Sequence, residues 1–493
     1  MTKSFLRDML IYLPTKVLPA LTGLITTPIL TRIFLPEEYG DWALALGVTD
    51  FLFAVAMSGI GTAALRFFPA YKAKGNLGGF FSNVLAMTAA VAGGMSILAA
   101  VGLALFHGRI DAALFPLLWV SILIFAVNSF YTIFMEVSRV QQKSGLFTRI
   151  NLTNYYGGLI LGLILVLVFG MRVEGLMYGT LLVQILAIPL LIRATMQGVQ
   201  VGASLLDISS MAAIWSFAWP LAFGNTAFWG LRLSDRFVIE FFRPGIEVGL
   251  YSAVYNISDR TINLAVTLFL MSLGPAVANS WETQGRENTE RLITRLTRLF
   301  LLICLPVTVG LTSLALPFIT LLTGEAYHEG YRIVGFVAFS TFAWGLSRIA
   351  CWGLILNNKT FRFAMNQLLA GALNIGLNIL LVPVYGYAVA AVTTLVGYVL
   401  LLALQAHASR KYLTWKLPLG TAFRVGGAAL LMGAAVYGAN ALDVGNTDLI
   451  PTLAKIALGA FVYVAALLAF GEITSDEKGA AKRFLFKLIR REK

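Results

Sequence analysis

The chain has 493 residues, of which 58% are hydrophobic and only 12% charged, with a mean hydropathy of +0.80, whereas soluble domains carry about 25% charged residues. This excludes a soluble multidomain protein and leaves no room for a soluble enzyme domain between the apolar runs. The net charge of +13 does not point to nucleic acid, because most Lys and Arg residues sit in short loops between apolar runs, where they orient a membrane protein.

One crossing takes ~20 apolar residues. The apolar runs predict helices over about 9–34, 42–66, 80–106, 112–135, 147–169, 175–194, 212–236, 248–273, 299–322, 331–356, 363–382, 386–407, 420–440 and 449–471. The expected fold is therefore all-α and polytopic, with about 14 transmembrane helices. With the N-terminus in the cytoplasm, 27 of the 37 Lys and Arg residues fall on the inner side, 6 on the outer side and 4 within apolar runs, so both termini are expected inside. The outer loops carry acids instead, among them Glu37, Glu38, Asp41, Asp111, Glu174, Glu325, Glu329, Asp443 and Asp448.

The run 9–34 is too long for a signal-peptide core and reads as a retained first helix. It holds Pro14, Pro19 and Pro28 with Lys16, Thr22, Thr26, Thr27 and Thr31. Three prolines remove three backbone donors and suit an element that bends. Lys16 lies near the inner mouth, where it either meets an anionic headgroup or anchors the helix.

The second run places Asp50 ~14 Å deep and Arg66 at its inner end, within reach of water by snorkelling. A carboxylate at that depth either takes a proton or a sodium ion, or accepts a hydrogen bond from a neighbour. In the run 147–169, Asn151, Tyr155, Gly158 and Gly162 share a face and suit either a cavity wall or helix packing.

Arg232, Asp235 and Arg236 have the spacing of a structural ion-pair cluster, here near the outer end of their helix. The next run is the most informative. Ser252, Asn256, Asp259 or Arg260, Asn263 and Thr267 recur at spacings of three and four, a polar stripe that lipid cannot solvate. Arg260 lies ~18 Å deep. The stripe either lines a cavity or pairs Asp259 or Arg260 with a neighbouring helix.

The connection from Ala278 to Arg298 reads as a short amphipathic cytoplasmic helix or a solvated connector, the second being preferred. Arg348 lies about eight residues from the inner end of its helix and either lines the cavity or snorkels. Gln367, Gly371, Asn374 and Asn378 form a further polar stripe. After Ser475, Lys482, Arg483, Lys487, Arg490 and Arg491 alternate with apolar residues, which suits a helix on an anionic leaflet.

No phosphate loop, H-E-x-x-H motif or Rossmann glycine pattern occurs. His107, His328 and His407 fall in separate loops, and both cysteines, Cys304 and Cys351, in apolar runs. No resident cofactor, metal site or disulfide is expected; Na+ or H+ coupling through Asp50 or Asp259 stays open.

The chain also repeats internally. Glu38-Tyr39-Gly40 matches Glu247-Val248-Gly249 at an offset of 209, while Lys143, Phe147 and Gly170 match Lys359, Phe363 and Gly386 at an offset of 216. A six-helix unit holds an even number of crossings, so both copies run the same way through the membrane. The implied division is a six-helix lobe over 1–200, a second over 201–412, two further helices over 413–473 and a basic cytoplasmic tail over 474–493.

These residues, in this order, resemble the polysaccharide or O-antigen (Wzx-type) flippases of the multidrug, oligosaccharidyl-lipid and polysaccharide exporter superfamily. The likeness rests on the Pro-rich first helix leading to Arg32-Ile33-Phe34-Leu35-Pro36-Glu37-Glu38-Tyr39-Gly40, on Gly59 with Arg66-Phe67, and on Ser234-Asp235-Arg236-Phe237-Val238-Ile239. Gly249-Leu250-Tyr251-Ser252 and Leu381-Val382-Pro383-Val384-Tyr385-Gly386 complete it.

The resemblance implies two six-helix lobes around a central cavity, two extra helices packed outside, and alternating access. The cargo would be a polyprenyl-pyrophosphate-linked oligosaccharide moved to the outer leaflet of the bacterial inner (cytoplasmic) membrane for O-antigen or exopolysaccharide synthesis. Lys16, Arg260 and Arg348 would offset the pyrophosphate charge, and membrane lipids and other polysaccharide assembly proteins would be partners. The rivals are a cation-coupled multidrug exporter, expected to use buried acids, a membrane polymerase or acyltransferase, expected to show large outer loops, and a non-transporting scaffold.

Overall fold

The computed structural model describes residues 22–442 and 448–473; Pro14, Lys16, Pro19, Asp443 and the basic tail lie outside the described residues. Helix α1 covers 22–33, and α2 to α5 cover Pro36–Ala56, Ser58–Ala73, Leu77–Leu105 and Leu114–Val140. Then follow α6 (Ser144–Leu152), α7 (Gly158–Leu167), α8 (Glu174–Thr195), α9 (Ile208–Phe242), α10 (Gly245–Ser313) and α11 (Ala315–Leu322). The last six are α12 (Val334–Ala350), α13 (Trp352–Leu356), α14 (Thr360–Tyr385), α15 (Ala388–Ser409), α16 (Leu419–Leu442) and α17 (Leu449–Ala469).

Among the described residues there is no strand, and eleven helices are long and apolar enough to cross a membrane. Large apolar side chains such as Leu98, Leu105, Leu186, Leu380 and Phe461 are exposed, as they are where the solvent is lipid. This is an all-α, multi-pass membrane protein.

Two boundaries differ from the sequence expectation for identifiable reasons. The second apolar run begins six residues earlier, at Pro36, whose ring suits the first helical position. There the Leu35 N–H donates to Glu38 Oε2 at 3.4 Å, capping the helix. The run then breaks at Met57 into α2 and α3.

The stretch 278–298 is helical and not a solvated connector. α10 runs through it with one non-helical residue, Gly285 at φ 76°. The i,i+4 pairs Arg286–Glu290 (3.0 Å) and Arg291–Glu287 (2.6 Å) support the helix on its exposed side.

The chain forms two compact units, one of Met1–Ile257 with Thr360–Gly397 and one of Ser258–Lys359 with Tyr398–Lys493. In the first, α9 packs on α2, α3 and α14, and α5 packs on α2, α3, α4 and α8. Its core centres on Phe68, Phe80, Phe81 and Phe125, with edge-to-face ring pairs such as Phe68–Phe80 at 5.3 Å.

Helices approach closely where small residues allow it. A Cβ on Gly59 would lie 2.0 Å from the Ala218 carbonyl oxygen, and one on Gly179 would lie 2.4 Å from the Gly162 nitrogen. The Gly158 and Gly162 stripe is thus packing against α8. Between α6 and α7 a π-turn over Thr153–Gly157 shifts the register of the expected Asn151 stripe.

In the second unit, α16 packs on α17. Glu472, just beyond α17, accepts Arg298 Nε at 2.7 Å, Thr421 Oγ1 at 2.9 Å and Arg424 Nη1 at 3.3 Å. One carboxylate therefore ties α10, α16 and the end of α17 together.

The 216-residue repeat is present in the backbone. Gln142 and Asn358 are the two non-glycine residues with positive φ among the described residues, at 57° and 56°, and Gly170 and Gly386 stand at 69° and 74°. The Lys143 N–H donates to the Ser138 carbonyl and the Lys359 N–H to that of Leu354, again 216 residues apart.

Candidate functional site

The polar residues predicted at membrane depth fall into two kinds. In the first unit they are locked together. A two-residue turn, Arg243-Pro244, joins α9 to α10 and brings Ser234-Asp235-Arg236 against Tyr251, Ser252 and Asn256. Arg236 is 3% exposed; its Nε donates to Ser252 Oγ at 3.2 Å and its Nη2 to Asn256 Oδ1 at 2.9 Å. The guanidinium carbon also lies 5.2 Å from the Tyr255 ring centroid. Asn256 in turn donates to Tyr39 Oη at 3.4 Å.

Asp235 is 1% exposed and accepts from Tyr251 Oη, from Thr394 Oγ1 at 3.5 Å and from the Arg236 N–H at 3.0 Å. The chain of bonds continues through the buried α14 asparagines. Asn374 Nδ2 donates to Thr394 Oγ1 at 3.2 Å and Thr393 Oγ1 at 3.4 Å, Asn378 Nδ2 donates to Asn374 Oδ1 at 3.4 Å, and Thr393 Oγ1 donates to Asn378 Oδ1. Buried polar groups are tolerated when they find partners, and this network links α2, α9, α10, α14 and α15, with Arg236 Nη1 left without a partner among the described residues. Gln367, seven residues before Asn374 on the same face of α14, is also buried.

Beside this network lie exposed side chains. Asp50 and Arg232 are both exposed, and Arg232 and Arg236 are the cations whose field acts on the Asp50 carboxylate. Their helices are held by the Trp229 Nε1–H donating to the Gly47 carbonyl at 3.2 Å and by the Phe51–Trp229 ring contact at 4.7 Å. Arg66 is exposed too, with its guanidinium 4.3 Å from the Phe217 ring centroid. The α1 threonines bond within their own helix: Thr26, Thr27 and Thr31 donate to carbonyls four residues earlier.

The second unit holds the rest of the α10 stripe. Asp259 Oδ1 accepts from Thr341 Oγ1 of α12 at 2.7 Å, so its partner is a hydroxyl. Asn263 Oδ1 accepts from Thr267 Oγ1 at 2.9 Å. Arg348, seven residues beyond Thr341, shares the α12 face turned toward Asp259 and is half-buried. Arg260 is half-buried and, among the described residues, makes no hydrogen bond, ion pair or ring contact.

The sequence reading did not single out Thr341, Thr393 or Thr394. A paired threonine in the otherwise apolar start of α15 was the available signal; Thr341 had none, because serine and threonine usually bond back to their own helix.

Comparison with known proteins follows the same lines. A family model described as "Polysaccharide biosynthesis protein" matches residues 5–281, and no curated protein matches. Among solved structures, the lipid II flippase MurJ in an inward closed conformation is 16% identical, with 94% of this chain and 99% of that chain covered at a TM-score of 0.75.

An inward-facing multidrug resistance MATE family transporter of the MOP superfamily is 12% identical over 80% of this chain and 94% of that chain, TM-score 0.67. A bent form of a Vibrio cholerae MATE transporter is 15% identical over 81% and 97%, TM-score 0.51. At these identities the likeness is one of fold. The family match covers more than half of the chain, and the chain belongs to the polysaccharide biosynthesis protein family.

Proposed function

We propose that the protein is a flippase that carries a polyprenyl-pyrophosphate-linked oligosaccharide from the inner to the outer leaflet of a bacterial cytoplasmic membrane by alternating access, with both termini inside. The family and the MurJ-like fold support this reading. The observation that carries it is Arg260. A guanidinium at membrane depth without a partner among the described residues is costly unless an anion visits it, and a planar donor fork suits a pyrophosphate.

Arg348 and Lys16 are the further cations of the proposed substrate set. Asn263 and Gln367 belong to it as hydrogen-bonding groups, with Asn256 and Asn374 held in place by their own bonds. Asp50 and Asp259 are the proposed sites of Na+ or H+ coupling. The division into lobes over 1–200 and 201–412 with two added helices belongs to the same reading.

The MATE folds support one rival, a cation-coupled drug exporter. Deleting the gene and following lipid-linked oligosaccharide by mass spectrometry, with its leaflet assigned, separates the two. Accumulation on the cytoplasmic side with loss of surface polysaccharide, reversed by complementation, is the expected result. Unchanged lipid-linked pools with altered drug sensitivity would overturn the flippase reading, and accumulation on the outer side would place the protein with a polymerase or ligase.

A further inference from the structure

The turns matched by the 209-residue offset touch each other. A Cβ on Gly40 would lie 3.0 Å from the Gly245 carbonyl oxygen and 3.0 Å from the Gly249 nitrogen, and one on Gly249 would lie 1.6 Å from the Pro36 carbonyl oxygen. At this crossing, on the side that the charge pattern places outside, α2 and α10 meet backbone to backbone.

Carboxylates gather around the crossing. Glu240 Oε2 and Glu37 Oε1 lie 3.8 and 4.0 Å from one point, the Cβ position of Gly245, and so are at most 7.8 Å apart. Asp41, one turn beyond Glu37, is 8% exposed, yet its carboxylate accepts no hydrogen bond from any described residue. Glu240 Oε2 is a buried atom and likewise has no partner among the described residues.

The charges acting on Asp41 are Glu240, Asp111 and Glu37, against the single cation Arg172; those acting on Glu240 are Asp111 and Glu37. Three cations nearby in the chain are engaged, whereas the Arg109 side chain, two residues before Asp111, makes no hydrogen bond or ion pair among the described residues. Arg172 bonds Glu38 at 3.2 Å, Arg243 bonds Glu247 at 2.7 Å, and Arg32 donates to the Pro28 carbonyl at 2.9 Å. Among the described residues no group of three or more acid, His or Cys side chains is placed to hold a metal ion.

Burying like charges without counter-ions is unfavourable, and either separation or proton uptake relieves it. We propose that Asp41 and Glu240 form a proton-binding site that controls this crossing: protons taken up from the outer side hold the Gly40–Gly249 contact closed, and their release opens it. The inference rests on the alternating-access reading for its orientation and use, though its test needs no substrate. Closure that takes up one proton shifts the closed-to-open ratio about tenfold per pH unit within the titrating range, the closed form gaining as pH falls.

The test is dipolar EPR on the full chain in liposomes, with spin labels at Leu35→Cys and Ile246→Cys, which replace exposed residues beside Pro36 and Gly245. The native cysteines are buried and escape labelling. The short-distance population should grow as pH falls from 8 to 5, and Asp41→Asn combined with Glu240→Gln should stay closed across the range. A native distance distribution that ignores pH overturns the proposal, even if the double variant fails to fold. So does a double variant that keeps the native response, or a response that follows Na+ at constant pH. If the cargo proves to be a drug, the EPR result is unaffected, so the failure of one reading is distinguishable from that of the other.

Discussion

Replacing Gly249 by Ala tests the crossing most directly. The added methyl carbon would stand 1.6 Å from the Pro36 carbonyl oxygen, where ordinary contact is about 3.4 Å, so the backbones must part by nearly 2 Å. Neither partner is a side chain that can rotate away. Tyr39, Val248 and Tyr251, each at most 1% exposed, would lose contact as the turns separate. Overpacking costs about 1–3 kcal/mol in ordinary cores, and a clash between backbones falls at the upper end, about 3 kcal/mol.

For a unit of this size that lowers the melting temperature by roughly 5 °C or more, read by fluorescence-detected size exclusion after heating in detergent. Gly426→Ala, in α16 with nothing within 4 Å of its Cβ position, is the control and should be neutral or stabilising by about 0.5–1 kcal/mol. A Gly249→Ala protein that melts within about 1 °C of the native chain would refute the reasoning.

Arg236→Lys keeps the charge but cannot span Ser252 and Asn256 together; a loss of about 2 kcal/mol is expected, read by the same assay, and an unchanged melting temperature would show the fork to be unimportant. For Glu472, burial acts to raise the carboxyl, but hydrogen bonds from Arg298 and Thr421, the Arg298 charge and a hydrogen bond from Arg424 outweigh it and hold the group below the usual carboxylate range. A lowered folded value gives stability in full above the unfolded value of about 4.3 and loses it as pH falls through the folded one. Glu472→Gln should therefore cost about 2 kcal/mol at pH 7 and progressively less below pH 4; an equal cost at both would count against the ion-pair account. Arg260→Ala should abolish flipping at normal abundance and Arg260→Glu should be worse, measured as lipid-linked oligosaccharide retained in the inner leaflet, whereas an active Ala variant would remove Arg260 from the substrate set.

The sequence by itself determined the class of the fold and much of its punctuation. Apolar runs of membrane length have no soluble solution, and Lys143, Gly170, Lys359 and Gly386 mark turns whose backbone repeats after 216 residues. That Asn256, Asn263 and Asn374 lie on polar helix faces was legible because 3.6-residue periodicity places a residue on a face.

Which neighbour that face meets was not legible. Arg232, Asp235 and Arg236 read as a local ion-pair cluster, yet apart from the Arg236 N–H to Asp235 the side-chain bonds of Asp235 and Arg236 go to Tyr251, Thr394, Ser252 and Asn256, up to 159 residues away. The helical stretch over 278–298 was missed because polar, charged sequence is equally at home in a connector; its i,i+4 pairs exist only once the helix forms. Tertiary packing alone decided that Gly40 and Gly249, 209 residues apart, lie backbone to backbone. A glycine is defined by the side chain it lacks, and only a second helix shows what the empty space is for.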